Sequence, residues 1–439
     1  MTEKDQTVMA PIHSPLFFFG ILFPALAKTR RPSASYINLD RNMLCASFLR
    51  PRSFLHTPLS FIRTVAPTTP RTHIRTLTAT ITAHNMSTDS NLDVPFPSII
   101  DEALGERLQP HEAEMTTKIA DVIDGTIRKQ YQEPGSAKRD VHARATGVLK
   151  AVFKVHEDIP AEFAKGVFIP GKSYEAIIRF SNASGNAHQE DSQGDGRGFA
   201  IKLLNVPGAK ILESDKDAMT QDFVMINHPV FFTNSTQKYL ELFNKNSSGS
   251  VLQKLTIPFT LGLKGSLILK KLASGLIANP LQIQYYSAVP YQLGLGESRR
   301  AVKYSIKPVS SQKDAVPENL SHEYLHEAVK ATVGQGDVQF KFMVQPKVNE
   351  QMDVEDSMTE WCQNESPFQE VATITIPKQD ADSEELKTLA ERLSFNPWHS
   401  LVEHRPLGAT NRTRKVVYER ISRVRDSINA VPREEPTHA

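Results

Sequence analysis

Cysteine is nearly absent from the chain: Cys45 and Cys362 are the only two in 439 residues. They define no disulfide framework and no thiolate metal site, so a reducing, intracellular compartment is the default expectation. An excess of one charge is missing too. Lys and Arg number 51 against 49 Asp and Glu, a formal net charge of +2, without the clustered basic surplus of a nucleic-acid-binding protein. Long apolar runs are lacking: residues 16–27 are too few to span a bilayer and contain Pro24, so no transmembrane segment is expected. There is no Gly-x-Ser-x-Gly nucleophile elbow. The chain that remains is 40% hydrophobic, enough for one large domain or two smaller ones.

The first 85 residues differ from the rest. They hold ten Lys or Arg and only three acids (Glu3, Asp5 and Asp40), with frequent Ser, Thr and Pro. Arg-rich, Ser/Thr-rich and acid-poor composition is that of a mitochondrial transit peptide. The alternative is a non-native extension, with Met86 opening an ordinary acidic segment as the true start. The expected division is therefore a leader over 1–85 and a folded domain over 86–439, mitochondrial in the first case and cytosolic in the second.

Beyond the leader the periodicities give an α+β chain. Ile119, Val122, Ile123 and Ile127 mark an amphipathic helix over 110–132. Runs at 145–155, 174–181, 198–206 and 223–232 are rich in alternating and β-branched residues, with turn signals between them. They predict half of an antiparallel β-barrel. Residues 235–280 read as helical, strands resume at 301–308, 339–344 and 370–376, and helices return at 319–333, 383–393 and 412–425. The class is an antiparallel barrel with inserted and C-terminal helices.

Several motifs compete for the function. HEYLH at 322–326 matches a zinc-hydrolase pattern, with His322 and His326 on one helical face and Glu323 as base. The apolar stripe Leu325, Ala328, Val329 and Val333 leaves the histidines on the polar side, and no further ligand stands nearby. GDGRG at 194–198 neither opens a helix nor carries a phosphate-loop Lys, so it reads as a hairpin turn. His399 and His404 lack a partner set and read as surface or packing residues. A dispersed constellation is more informative: His142 before the first barrel strand, Arg179 and Ser181 on the second, Asn227 on the fourth, and Arg414 four residues before Tyr418 on one helix face.

In this order the segments resemble the haem catalases. Arg139-Asp-Val141-His142-Ala resembles their distal motif. Arg179-Phe-Ser181 with Gly196-Arg-Gly-Phe-Ala-Ile-Lys202 resembles their Arg-Phe-Ser and Arg-Gly-Phe-Ala-Val-Lys. Asn227-His-Pro-Val-Phe231-Phe resembles Asn-Thr-Pro-Val-Phe-Phe, and Phe395-Asn-Pro resembles Phe-Asp-Pro. Arg414-x-x-x-Tyr418 with Arg425 resembles the proximal-ligand motif. The resemblance, over about residues 110–425, implies a catalase-like haem b hydroperoxidase acting on hydrogen peroxide or an organic hydroperoxide. It implies Tyr418 as iron ligand, favoured as phenolate by the guanidinium of Arg414 one turn away. It implies His142 as distal base oriented by Ser181, Asn227 as peroxide donor, and Arg139, Arg179 and Arg425 as propionate partners. Val141 and Phe231 would line the haem. Relatives assemble into dimers or tetramers, so a homo-oligomer is expected.

Departures are present. Ungapped, Ile226 falls where the family carries its distal Asn, His228 replaces a Thr, and Tyr239 stands for a haem-stacking Phe. From Met86 the chain has 354 residues (439 − 85), shorter than a typical catalase. It thereby resembles the small catalase-related proteins, some of which, such as the allene oxide synthases, act on fatty-acid hydroperoxides. Those synthases carry Thr at the position of Val141.

Overall fold

The computed structural model describes residues 93–97 and 99–438; the leader over 1–85 lies outside the described residues. Nine strands form one antiparallel sheet: β1 (Ala145–Val155), β2 (Ser173–Asn182), β3 (Arg197–Leu204), β4 (Thr220–Ile226), β5 (Tyr285–Tyr286), β6 (Tyr291–Leu293), β7 (Arg300–Pro308), β8 (Val338–Pro346) and β9 (Gln369–Ile376). Neighbours run β5-β4-β3-β2-β1-β9-β8-β7-β6, and β5 also pairs with β7 through Tyr285↔Ile306. That second pairing closes eight strands into a barrel, with β6 as a flap on β7. An eight-stranded barrel is just wide enough for side chains to fill. Phe153, Phe180, Phe199, Phe223, Tyr304 and Phe342 fill this one, with edge-on ring pairs such as Phe180–Phe199 at 5.0 Å.

Seven helices accompany the barrel among the described residues: α1 (Glu112–Gln130), α2 (Thr236–Ser247), α3 (Val251–Leu255), α4 (Ile257–Ala273), α5 (Tyr324–Gln335), α6 (Glu384–Arg392) and α7 (Ala409–Asn429). The apolar stripe of α1 packs with Phe243 of α2 and with Ile421 and Val424 of α7. This three-helix layer faces one outer flank of the barrel across a cavity, and Leu386 of α6 with Leu393 packs on Ile177 of β2. Tyr174, Ala176, Ile178 and Phe180 point into the barrel, while the outward series starts exposed at Ser173 and Glu175 and becomes buried at Ile177, Arg179 and Ser181. A strand buried on both faces loses the simple alternation of a half-solvated one.

The expected elements recur with shifted ends. The strand expected over 223–232 stops at Ile226, because the chain leaves the sheet and turns its next residues into a separate apolar cluster with α4. GDGRG is no tight hairpin. It closes a long loop over 183–196, and its Arg197 and Gly198 already belong to β3. The HEYLH reading fails on geometry, since α5 begins at Tyr324 and leaves His322 before the helix. His322 hydrogen-bonds Arg144 and the His188 carbonyl, His326 binds Asp382 at 2.9 Å, and Glu323 pairs with Arg144. His404 is a buried core residue. Its Nε2 accepts from Val167 N at 3.0 Å, and burial lowers its pKa to about 3.

A cavity between barrel and helices

The outward faces of β2, β3 and β4 form the floor of a cavity. In register, Ser181 pairs with Gly198 and Gly198 with Ile226; two residues along, Arg179 pairs with Ala200 and Ala200 with Val224. The segment 139–142 closes one side, residues 394–395 another, and α7 supplies the facing wall through Val417, Tyr418, Ile421, Ser422 and Arg425. The space between these walls is about 830 Å³, open solvent at its mouth included. Much of the wall is apolar: Val141, Ala200, Val224, Met225, Phe395, Val417 and Ile421.

His142 enters this space from a strained backbone. Its φ is +56°, the left-handed region that costs a non-glycine residue roughly 1–2 kcal/mol. Its Nδ1 meets Ser181 Oγ at 2.9 Å, and its N–H donates to the Ala183 carbonyl. Gly198 makes room for the ring: a Cβ there would lie 2.6 Å from His142 Cε1 and Nδ1 and 2.8 Å from Ser181 Oγ. Burial, with Arg179, Arg414 and Arg139 nearby, pushes the imidazole pKa down to about 3. The ring is therefore neutral near pH 7 and able to accept a proton.

On the opposite wall Tyr418 faces the cavity from α7, and Arg414 backs it one turn earlier. Arg414 Nη2 donates to Tyr418 Oη at 3.3 Å, with the guanidinium carbon 5.4 Å from the ring centroid. Burial works against the Arg414 charge, but the phenols of Tyr418, Tyr291 and Tyr239 outweigh it and raise the guanidinium pKa. The start of α7 is fixed two residues before that pair. Buried Arg412 binds Glu106, Glu112 and Glu355 at 2.9, 2.7 and 3.0 Å.

At the cavity's edge Arg139, Arg179 and Arg425 converge. Arg139 is pulled well below its ordinary pKa by burial and by Arg179 and Arg425; Arg179 falls to about 10 through burial. Their protein partners are mostly carbonyls: Arg179 Nη2 donates to the His142 carbonyl at 2.7 Å and Arg139 Nη2 to the Leu393 carbonyl at 2.6 Å. Arg179 Nε is buried with no partner. An orphaned guanidinium donor in a cationic cluster is costly unless an anion completes it.

Seven of the residues expected from sequence thus line one cavity: Arg139, Val141, His142, Arg179, Ser181, Tyr418 and Arg425. Arg414 stands behind Tyr418. Two residues are placed elsewhere. Asn227, just past β4, accepts from Arg197 N through Oδ1 at 2.8 Å and does not reach the cavity. Phe231 packs on Phe232 and Tyr239, with centroids at 4.3 and 5.7 Å, in the α4 cluster. No amide side chain is among the lining residues. Sequence reasoning passed over Asp140, which lines the cavity and whose carboxyl burial raises to about pH 7. Its signal was an acid at the unspecified position of Arg-x-Val-His-Ala.

Comparison with known proteins finds similarity to catalases in sequence and in fold. The Catalase family model matches residues 122–250. A catalase of Latilactobacillus sakei is 37% identical over 103 residues, 23% of this chain and 19% of that protein. A catalase-related peroxidase of Mycolicibacterium paratuberculosis is 25% identical over 276 residues, 60% of this chain and 80% of that protein. The match thus spans about a fifth of the Latilactobacillus catalase and most of the peroxidase. In fold, the chain is similar to a bacterial catalase (TM-score 0.53, 17% identity, 68% of this chain and 60% of that one). It is also similar to catalase A from Saccharomyces cerevisiae (TM-score 0.50, 18% identity, 77% and 70%).

Proposed function

We propose that this chain is a catalase-superfamily protein, a haem b enzyme consuming hydroperoxides. The observation that carries the proposal is the convergence of Tyr418–Arg414, His142–Ser181 and three arginines on one cavity.

The residues present fit the cofactor. Tyr418, which accepts a hydrogen bond from Arg414, would offer its phenol oxygen to the iron. Arg139, Arg179 and Arg425 match two propionates, and Arg179 Nε is the donor still lacking an acceptor. The apolar wall suits a macrocycle. When bound, haem supplies the redox-active iron at which a peroxide O–O bond is cleaved.

The chain's own groups handle the proton. Ser181 fixes His142 Nδ1, which leaves Nε2 to take the proton from a hydroperoxide O–H. The same nitrogen returns it to the oxygen that leaves as water or alcohol. The low pKa of the imidazole keeps the acceptor form available across the neutral range.

A second reading, an organic hydroperoxide as preferred substrate, is favoured by one observation. With Asn227 turned onto Arg197, the cavity has no amide donor for a small peroxide, whereas a longer substrate is held by apolar contact. Spectra of the haem-loaded chain and its Tyr418→Phe variant, with turnover of hydrogen peroxide beside a fatty-acid hydroperoxide, test both readings. A Soret band that the variant leaves unchanged refutes the tyrosine-ligated haem. Faster loss of hydrogen peroxide than of the lipid removes the second reading.

A further inference from the structure

The outer face of α3 and α4 has no role in the cavity: none of its residues lines it. Between Glu241 and Glu297 the chain carries no Asp or Glu and five lysines: Lys245, Lys254, Lys264, Lys270 and Lys271. Over the same stretch large apolar side chains stand in solvent: Leu252, Phe259 and Leu263 are 77%, 86% and 79% exposed, and Leu255 and Leu267 are exposed as well. The five recur at steps of three or four residues, the spacing of one helical face, although the backbone turns at Gly262 (φ +70°, ψ 179°). The opposite series, Ile257, Leu261, Ile268, Leu269 and Leu272, is buried against Val230 and Phe232. The inner face therefore suffices to hold the helix, and the outer apolar residues are surplus to folding.

We propose that this face docks the protein on an anionic lipid surface. An interfacial helix combines protruding apolar side chains with lysines and lies in the plane of the headgroups. Lys264, Lys270 and Lys271 are exposed beside the apolar residues, Lys264 reaching Thr359 Oγ1 at 2.8 Å. Within the stretch itself lysine is the only charged residue type, which suits an anionic leaflet. A second copy fits less well, because an isologous contact would set two lysine-bearing stretches against each other. No helix among the described residues is long and apolar enough to cross a membrane, so the contact is peripheral. Docking needs neither haem nor turnover, so it stands apart from the catalytic proposal.

The test is co-sedimentation of the full chain with phosphatidylcholine vesicles, with and without phosphatidylserine. The expected result is binding that needs phosphatidylserine, falls in high salt, and weakens at least about tenfold in the triple variant Leu252→Ser, Phe259→Ser, Leu263→Ser. Replacing exposed Ile169, which lies elsewhere, by Ser should leave binding unchanged. The leader is present in every variant, so the difference reports this face alone. Equal binding by the triple variant and the native chain overturns the proposal. So does a triple variant that changes the oligomeric state in vesicle-free solution while keeping its vesicle affinity.

Discussion

Gly198→Ala is a single-methyl perturbation whose consequence follows from distances. The new Cβ would sit 2.6 Å from His142 Cε1 and Nδ1 and 2.8 Å from Ser181 Oγ, whereas ordinary contact begins at 3.4 Å. One side must yield by about 0.8 Å (3.4 − 2.6). Gly198 lies inside β3, laddered to Ser181 on one side and Ile226 on the other, so the backbone is the stiffer partner and the imidazole moves. That displacement breaks the 2.9 Å His142–Ser181 contact and carries the proton acceptor off its line. A misplacement of about 1 Å at a reacting group can cost on the order of a hundredfold in rate. Overpacking costs stability by only about 1–3 kcal/mol. The expected outcome is a kcat/KM for hydroperoxide reduced about a hundredfold, with haem affinity and the Soret band unchanged. Gly125→Ala on α1, where a Cβ meets nothing within 4 Å, should leave turnover intact and gain up to about 1 kcal/mol of stability. Steady-state turnover and thermal melts of the haem-loaded proteins check both. Native turnover in Gly198→Ala would refute His142 as the proton carrier at this site.

Arg179→Met should weaken haem binding about ten- to a hundredfold, the worth of one charge-assisted contact, while leaving the haem-free chain no less stable. Haem titration with parallel melts reads both, and unchanged affinity removes Arg179 from the propionate set. Asp140→Asn acts on the haem-free chain through linkage. The folded pKa, about 7, lies above the unfolded 3.8, so the native state is penalised progressively as pH rises through that window and fully above it. The variant should gain about 1–3 kcal/mol at pH 8, discounted for the side chain's exposure to the cavity, and nothing at pH 3.5. A gain independent of pH would refute this. His142 and His404 run the other way: both are lowered from 6.5 to about 3 by burial, so the unfolded chain protonates first. Stability is then lost as pH falls from 6.5 toward 3. Melting temperatures flat between pH 6.5 and 4 would contradict that sign.

The barrel was legible in sequence because its strands are long and their inward residues large. The run over 145–155 matches β1 residue for residue, and the helical stripe through Ile119, Ile123 and Ile127 is α1. Strands β5 and β6, only two and three residues long, carry no period of their own. Only tertiary pairing makes them strands, and β5 is the one that closes the barrel. In the site, residues tied to a fixed local geometry come together at the cavity: Arg414 and Tyr418 share a helix face, and Arg179 and Ser181 share a strand face. Asn227 and Phe231 fall outside its lining, because they follow the last residue of β4. There the direction of a side chain depends on where the strand ends rather than on any period. Asp140 escaped for a different reason: a carboxyl next to arginine reads as a solvated pair until burial is known.

Four departures from ordinary folding logic meet at the cavity. His142 holds a left-handed φ, Arg179 Nε has no acceptor, three guanidinium groups converge with few carboxylates, and Asp140 has its carboxyl raised toward neutrality. Each costs stability, and none improves the packing of the barrel, whose aromatic core is complete without them. Such conflicts are kept at functional sites. Their pattern constrains the ligand. The lining offers cationic groups at Arg139, Arg179 and Arg425, a phenol oxygen at Tyr418, and a broad apolar wall of Val141, Ala200, Val224 and Ile421. A neutral apolar ligand would leave the guanidinium cluster uncompensated, and a small anion would leave the apolar walls unfilled. A planar dianionic macrocycle carrying a hard cation would answer all three features at once, so on the proposed reading haem binding should raise the stability of this domain.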